Sequence, residues 1–296
     1  MFRILKISLR LVFTYIGIFV IMSCFSKIFC PGVTKRCYHI QEVSAFLRAK
    51  MEQWREDEIL LAFDIDLTLL QPEHPACYVP NIRKYLSVYR SIEKQYPKMN
   101  PSIPLTFVFF EPQHLVDAGI YPLLQDTKNI RKIALTATPS GEFPQLGRLE
   151  KLRYQQLVEK QISFEEYFAE DDVLLEECLP YRGNKPCFYK GVLCSNCEGG
   201  ATTKGDALCA FLKHIAWIPK LVVLIDDKAS NLKNVYKILK KNYPATQFVG
   251  IKYLGAHDYC PKTITKEDFK TYWENCFSKT YQYEKQFCDN YYSDKI

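Results

Sequence analysis

The first 36 residues of the chain contain no aspartate or glutamate, although the whole sequence has 33 acidic residues. Six bases lie in this part of the chain: Arg3, Lys6, Arg10, Lys27, Lys35 and Arg36. The full chain has 39 bases and a formal net charge of +6, so the excess lies entirely in this part and the rest is neutral. The net charge therefore does not predict nucleic acid as a partner.

Histidine is also scarce, with five residues, and Cys194–Cys197 is the only CxxC motif. A zinc site would need a second such pair or two spaced histidines, so zinc is not predicted. The twelve cysteines instead favour some disulfides in an oxidising compartment. For Cys187, Cys194 and Cys197, both a disulfide and free thiols are consistent with the spacing.

The N-terminal bases precede a short apolar run, Leu11–Phe25. This pattern is typical of a secretory signal, and the run is shorter than the roughly 20 residues that a spanning helix needs. We expect residues 1–36 to be a signal peptide or a membrane anchor and the protein to be exported to a bacterial cell envelope, periplasm or medium. Ile21–Cys24 resembles a lipoprotein box, so a lipid on Cys24 is an alternative.

Five apolar runs predict β-strands: Ile59–Asp64, Arg131–Thr136, Cys187–Cys194, Leu221–Asp226 and Gln247–Tyr253. Nearly unbroken runs are typical of parallel strands that are buried on both faces. Helical spacing at Gly205–His214 and Asn231–Lys241 predicts right-handed crossovers, and hence an α/β fold. Functional sites in such sheets form beyond the carboxyl ends of the strands.

Two stretches are too long to be simple connections, Leu69–Asn129 and Pro139–Pro186. The first predicts an inserted, mainly helical cap with a helix at Asn81–Gln95. The second predicts a crossover helix near Arg148–Lys160 and an acidic peripheral loop. We expect a catalytic core at 37–68 and 130–262, the cap at 69–129 and a helical tail at 263–296.

Carboxylates follow two of the predicted strands. Asp64 and Asp66 form a DxDxT motif after the first strand, and Asp226 with Asp227 ends another. Buried carboxylates need partners, and like charges resist joint ionisation. If the two strands are neighbours, all four carboxylates converge, and a divalent cation such as Mg²⁺ would offset their repulsion.

Two other polar residues belong to the same pattern. Thr136 ends the second predicted strand and could donate a hydrogen bond to a phosphate oxygen. Lys204 opens a predicted helix, where its ammonium could neutralise both a nucleophile and a phosphoryl group. Competing candidates nearby are Thr138, Ser140, Lys213 and Lys220.

The order of these motifs, from DxDxT through a strand-end threonine and a lysine to a strand-end Asp-Asp, resembles the haloacid dehalogenase superfamily in its phosphatase branch. The resemblance covers Ile59–Tyr253. It implies a Rossmann-like three-layer parallel sheet with an inserted cap. More loosely, the N-terminal leader, Phe63–Leu70 and Tyr189–Leu208 resemble a poorly characterised group of exported bacterial proteins in that superfamily.

The resemblance also implies a role for each motif residue. Asp64 would be the nucleophile and Asp66 the general acid and base, while Thr136 and Lys204 would bind the phosphoryl group. The implied metal ligands are Asp64, Asp66, Asp226 and Asp227. Asn231 is a secondary candidate that either orients the Asp227 loop or caps a helix.

These inferences predict an exported, Mg²⁺-dependent hydrolase of small phosphate monoesters that acts through an aspartyl-phosphate. No nucleic acid partner is expected, and a membrane would be contacted only through the N-terminal segment or a lipid on Cys24. The alternative is a catalytically silent, secreted binding protein with the same fold. Loss of Asp64 or Asp66 would have favoured that alternative, but both are present.

Overall fold

The computed structural model describes residues 32–293, apart from residues 98, 100–107, 109, 144–145, 198–199 and 201. Most of the predicted leader, including Cys24, lies outside these residues. Within the described part of the chain, no helix has the length and apolar character needed to cross a membrane. Export, anchoring and lipidation therefore stay predictions.

The described residues contain twelve β-strands. In chain order they are β1 Lys35–Cys37, β2 Ile59–Phe63, β3 Leu70–Pro72, β4 Gln113–Leu115, β5 Arg131–Thr136, β6 Glu142–Phe143, β7 Gly147–Arg148, β8 Asp172–Leu174, β9 Cys187–Tyr189, β10 Val192–Cys194, β11 Leu221–Asp226 and β12 Gln247–Tyr253. Eight of them form one sheet in the order β1-β12-β11-β2-β5-β10-β9-β8. The sheet is parallel from β1 to β10, and β9 is antiparallel to both of its neighbours.

Nine α-helices accompany the strands in the part of the chain that the structure describes. They are α1 Ile40–Met51, α2 Val79–Lys84, α3 Leu86–Glu93, α4 Ile120–Asp126, α5 Leu149–Glu159, α6 Lys204–His214, α7 Ala229–Asn242, α8 Gly255–Asp258 and α9 Lys266–Ser293. Two-stranded hairpins are formed by β3 with β4 and by β6 with β7.

The central strands are buried on both faces, because successive side chains alternate between the two sides of the sheet. In β2, Leu61 and Phe63 pack in the layer that contains α1, α4 and α5. Leu60 and Ala62 pack on the other side with α6 and α7. The result is a mixed α/β fold of three layers around a mostly parallel sheet, which confirms the predicted Rossmann-like fold class.

The position of β2 determines where the polar strand ends meet. It lies between β11 and β5, and Phe63 pairs with Ile225 on one side and with Ala134 on the other. Since all three strands are parallel, their carboxyl ends lie along one edge of the sheet. Asp64 and Asp226 are therefore neighbours, which is the condition on which the predicted convergence of carboxylates depended.

The insertion between β2 and β5 shares a separate apolar core with the C-terminal helix α9. Its buried members are Ala76, Cys77, Ile92, Met99, Val108, Phe269, Trp273 and Phe277. The Trp273 indole donates to the Ala76 carbonyl at 3.2 Å, and the Tyr85 hydroxyl donates to the Ile264 carbonyl at 2.9 Å. The part of α9 from Phe269 to Phe277 thus packs on the insertion and completes its core.

Three predicted elements differ from the structure. The run Cys187–Cys194 is a hairpin of β9 and β10, because Lys190 and Gly191 turn the chain with φ of 45° and 85°. The helix predicted at Asn81–Gln95 is divided into α2 and α3 by a non-helical residue, Tyr85. The acidic segment that was predicted as a peripheral loop contributes β8 to the edge of the sheet.

Seven of the described cysteines are not joined by disulfides: Cys37, Cys77, Cys178, Cys187, Cys194, Cys209 and Cys260. Cys187 and Cys194 lie directly opposite each other in the β9–β10 hairpin. A hydrogen bond with Cys194, together with burial, raises the pKa of the Cys187 thiol. The structure therefore has thiols at this pair, and the expected disulfides are not found at these seven positions.

Trp273→Ala should lower the free energy of unfolding by about 3–5 kcal/mol, because the indole is fully buried in the core shared by α9 and the insertion. Urea denaturation measures the change. Lys270→Ala, on the exposed side of the same helix, is the matched control and should have little effect. Equal losses in both variants would mean that α9 does not stabilise the insertion through this core.

Candidate functional site

Three buried carboxylates meet at the carboxyl edge of the sheet. Asp64, Asp226 and Asp227 each offer an oxygen, and these oxygens lie within 4.8 Å of one another. The residues come from adjacent strand ends, since Asp64 follows β2 and Asp226 ends β11. Buried like charges this close need a cationic partner, so this acidic triad could bind a metal ion.

Lys204 supplies one cation from the protein itself. Its Nζ lies 2.7 Å from Asp64 Oδ1 and 2.7 Å from Asp226 Oδ2, and its side chain is 1% exposed. Lys204 is the first residue of α6, whose start is fixed by a capping box. The Asp206 amide donates to Thr203 Oγ1 at 3.2 Å, and the Thr203 amide donates to the Asp206 carboxylate at 3.1 Å.

The pKa values of this pair follow from burial and from the neighbouring charges. Burial raises the pKa of Asp64 well above 3.8, and the charge of Asp226 raises it further, while Lys204 acts in the opposite direction. Burial alone would lower the pKa of Lys204, but the charges of Asp226 and Asp64 outweigh it and raise that pKa. One lysine therefore offsets only part of the repulsion in the triad.

The donor set fits a hard divalent cation. Among the described residues, Asp227 Oδ1 is buried and has no hydrogen-bond partner. An unpaired buried carboxylate oxygen is costly, and a cation at the triad would satisfy it. All the available ligand atoms are oxygens, which suits Mg²⁺ or Ca²⁺ better than a metal that prefers sulfur or nitrogen.

Asp226 is held by the loop that follows β11. Its Oδ1 accepts from the Lys228 amide at 2.7 Å, and Asn231 Nδ2 lies 3.0 Å from each of its oxygens. Asn231 was predicted either to orient the Asp227 loop or to cap a helix. In the structure its side chain instead bonds Asp226, and α7 begins after Lys228. Asn231 thus orients one member of the triad.

Asp66 does not join the triad, so the predicted convergence of four carboxylates is reduced to three. Its Oδ1 accepts a hydrogen bond from the Arg153 guanidinium, which is fully buried. Asp66 lies one residue before Leu67, whose φ of 61° is rare for a residue with a Cβ. The strained turn and the arginine together fix the position of the Asp66 carboxylate.

Thr136 lies at the expected strand end, and its hydroxyl is hydrogen-bonded to a second threonine, Thr138. Its Oγ1 lies 2.8 Å from Thr138 Oγ1 and accepts from the Thr138 amide at 3.2 Å. Ser195 Oγ donates to the Thr136 carbonyl at 2.8 Å and ties β5 to the loop after β10. The two threonines therefore form one hydroxyl pair, and both remain candidates for binding an anion.

The competing lysines lie elsewhere. Lys213 pairs with Glu177, and Lys220 pairs with Glu58 at 2.5 Å. Both lysine side chains are well exposed, whereas Lys204 is buried in the triad. Of the three candidates, Lys204 alone has a geometry that can act on Asp64.

Sequence reasoning missed two residues of the site, and Arg153 is the first. In the sequence it falls in the crossover helix predicted near Arg148–Lys160, and no role was predicted for it. A signal was present, because Leu149, Arg153 and Leu157 are spaced four residues apart and share the buried face of α5. A charge in a buried helical row needs a partner, and here that partner is Asp66.

His257 is the second residue that was missed. Its Nδ1 accepts from the Arg83 guanidinium at 2.8 Å, because a guanidinium can only donate. Nε2 must then carry the proton, and it donates to Asp227 Oδ2 at 3.3 Å. The sequence offered one indication of this role, because His257 comes shortly after β12, and functional sites form beyond the carboxyl ends of parallel strands. Arg83 belongs to α2, so this chain of contacts links the insertion to the acidic triad.

Comparison with known proteins gives one family. A family model described as "Protein of unknown function (DUF2608)" matches residues 36–282. No curated protein matches the chain, and no solved structure does.

This result corrects the family assignment made from the motif order. The chain matches DUF2608, and nothing in the comparisons points to the haloacid dehalogenase superfamily. The assignment to that superfamily, and to its exported bacterial members, is therefore wrong. The arrangement of Asp64, Lys204 and Asp226 does not depend on it, because it is read from the structure.

Asp64→Asn should stabilise the metal-free protein, and increasingly so as the pH rises. The raised pKa means that folded Asp64 keeps its proton above pH 3.8, where unfolded Asp64 loses it. Unfolding then releases a proton, so this group lowers the stability as the pH increases through that window. Melting curves in EDTA from about pH 4 to 7 measure the difference between the variant and the wild type. If the difference in melting temperature between the variant and the wild type does not change with pH, the pKa of Asp64 is not raised.

A divalent cation should raise the melting temperature by roughly 5 °C or more at 100 times its Kd, because it binds only the folded triad. Asp227→Asn should remove most of this gain, since it removes the charge beside the unpartnered oxygen. Asp126→Asn, on an exposed side chain, is the matched control and should respond like the wild type. No cation-dependent shift in the wild type would exclude the metal site.

Proposed function

Since the chain belongs to the DUF2608 family, whose description names no activity, we propose its function from the geometry of the site: metal-dependent hydrolysis of small phosphate monoesters, with Asp64 as the nucleophile. The observation that carries the proposal is the position of Lys204. Its ammonium contacts Asp64 and Asp226 at the same 2.7 Å inside the buried acidic triad.

Phosphoryl transfer is the reaction that this combination suits. It requires an oxygen nucleophile held in line with the leaving oxygen, and cations that offset the charge of three phosphoryl oxygens. Asp64 can provide the nucleophile, and Lys204 one cation. The triad can hold a second cation, for which we propose Mg²⁺, because Mg²⁺ prefers oxygen ligands and commonly acts with substrate phosphates. When bound, Mg²⁺ would offset charge on the phosphoryl oxygens.

The first step forms a bond between an Asp64 carboxylate oxygen and phosphorus, and it breaks the bond from phosphorus to the ester oxygen. Lys204 donates to a phosphoryl oxygen, and the hydroxyl pair of Thr136 and Thr138 is placed for a second contact. Asp66 gives its proton to the leaving oxygen, so the alcohol departs neutral. Arg153 orients Asp66 through Oδ1.

In the second step, water attacks phosphorus and the bond to Asp64 breaks. Asp66, now without its proton, takes one from the water, and inorganic phosphate leaves. Both steps need Asp66 at the same place but in opposite protonation states. A buried arginine and a strained turn that fix this carboxylate support such a double role.

Two further parts of the proposal rest on the sequence alone. We propose that the enzyme is exported, because of the charged and apolar pattern of residues 1–36. We also propose that it acts on small phosphorylated compounds and not on nucleic acid, because the chain beyond that segment has no net charge.

Asp64→Asn should reduce the turnover of p-nitrophenyl phosphate by about 10,000-fold or more, because it removes the nucleophile without changing the shape of the side chain. Asp66→Asn should reduce it similarly, and EDTA should abolish it in the wild type. Asp57→Asn, on an exposed side chain, is the matched control. Circular dichroism would verify that each variant is folded.

Turnover that persists in folded Asp64→Asn would exclude this nucleophile. A wild type that binds Mg²⁺ but hydrolyses no phosphate ester would instead favour the catalytically silent binding protein.

A further inference from the structure

The hairpin of β3 and β4 carries two polar residues that face the same way. Gln71 pairs with His114 across the two antiparallel strands. Directly opposed residues of an antiparallel pair place their side chains on the same face. The neighbouring pair, Leu70 with Leu115, packs toward the core of the sheet, so Gln71 and His114 face the opposite side.

The polar atoms on this face are buried and unsatisfied. Gln71 is 0% exposed, and within the described residues neither its amide nitrogen nor its amide oxygen has a hydrogen-bond partner. The same is true of His114 Nε2 and, just before the hairpin, of Thr68 Oγ1. Buried side-chain polar groups nearly always have partners, so unpaired atoms on both side chains of one cross-strand pair indicate a ligand.

The hydrogen bonding that these atoms require can be specified. His114 Nδ1 lies 2.8 Å from the Leu115 carbonyl, and a carbonyl only accepts, so Nδ1 carries the proton. Nε2 of the neutral ring is then an acceptor. The Gln71 amide offers one acceptor and a donor, and the Thr68 hydroxyl can act as either. A complementary ligand must both donate and accept, as each hydroxyl group does.

This face lies beside the proposed reaction centre. The hairpin is bonded to the turn that follows Asp66. The amide of Leu67, the next residue after Asp66, donates to the Leu70 carbonyl at 2.7 Å. On the other side, the His114 ring lies 5.0 Å from the Tyr259 ring. Tyr259 follows by two residues His257, which bonds the triad residue Asp227.

Aromatic rings complete this face. The Tyr78 ring lies 6.1 Å from the His114 ring and 5.6 Å from the Tyr259 ring. Such rings pack well against the C–H faces of a sugar or polyol, and the residues with unpaired atoms here, Thr68, Gln71 and His114, carry no carboxylate, ammonium or guanidinium group. Arg83 of α2 is held by His257.

We infer that Gln71 and His114 bind the hydroxyl groups of the leaving alcohol, and that the substrates are phosphate esters of sugars or polyols. The inference rests on the proposed phosphatase activity. Thr68 contributes a further hydroxyl contact, and Tyr78 with Tyr259 forms the apolar wall. The residues therefore determine specificity, while the triad and Lys204 act on the phosphoryl group.

The test compares Gln71→Met with Gln113→Met in the full chain with Mg²⁺. Gln113 is the control from the same hairpin, because its amide nitrogen donates to the Val108 and Glu111 carbonyls and so supports the fold, although its amide oxygen has no partner among the described residues. Activity is measured as kcat/KM on glucose 6-phosphate, glycerol 1-phosphate, a nucleoside monophosphate and p-nitrophenyl phosphate. Melting curves with and without glucose 6-phosphate give a readout that does not need turnover.

Gln71→Met should lower kcat/KM for the sugar and polyol phosphates by about 10- to 100-fold and leave p-nitrophenyl phosphate within about twofold, because only the former use these hydrogen bonds. Its melting temperature should not fall, since the amide has no partner to lose. Gln113→Met should melt at a lower temperature and change all substrates alike.

Two results would overturn the inference: a uniform change across the substrates in Gln71→Met, or an effect confined to p-nitrophenyl phosphate, which has no further hydroxyl groups on its leaving alcohol. If the wild type hydrolyses no ester, the phosphatase proposal fails by itself. The specificity site is then judged by the melting curves. A shift with glucose 6-phosphate that Gln71→Met abolishes supports the site, and the absence of a wild-type shift excludes it.

Discussion

The Lys204 ammonium lies between two buried carboxylates, Asp64 and Asp226, and the arrangement of the fold around the site follows from that contact. Two carboxylates can both stay ionised side by side inside a protein only if a positive charge is held there with them. Parallel pairing of β2 with β11 brings the acids together, and the capping box at Thr203 places the lysine. The sheet positions the carboxylates and the start of α6 positions the lysine that offsets their charge. One lysine offsets only part of the negative charge, so a further cation is needed.

The strands of the core could be predicted from the sequence because each one is indicated by a continuous stretch of neighbouring residues. Ile59–Phe63 and Leu221–Asp226 are continuous apolar runs, and a run of that kind has few alternatives to a buried parallel strand. The site residues at their ends followed from the same pattern. The hairpin at Cys187–Cys194 was missed because its turn, at Lys190 and Gly191, is short enough to leave the apolar run almost continuous.

The contacts that were not predicted join residues far apart in the chain. Arg153 reaches Asp66 across 87 positions, and His257 reaches Asp227 from a separate strand end. Both contacts form only in the tertiary fold, although the spacing of Arg153 with the apolar residues of its helix indicated that its side chain is buried. The family assignment failed for a different reason. The order of the motifs shows which chemical groups the chain can bring to a site, and chains of different families can carry the same groups. Motif order therefore does not identify the family.

The core that α9 shares with the insertion has a consequence for how the protein is made. Ala76 and Trp273 are 197 positions apart and yet form one hydrogen bond in one apolar cluster. A ribosome that adds about 5–20 residues per second needs on the order of 10–40 s to synthesise the chain between them. Throughout that interval the apolar side chains of the insertion lack the part of their shared core that α9 supplies. The sheet is itself completed only with β12, which ends 20 residues before Trp273, so the sheet and this core are finished close together at a late stage of synthesis, and the preceding interval is when a chaperone would be needed.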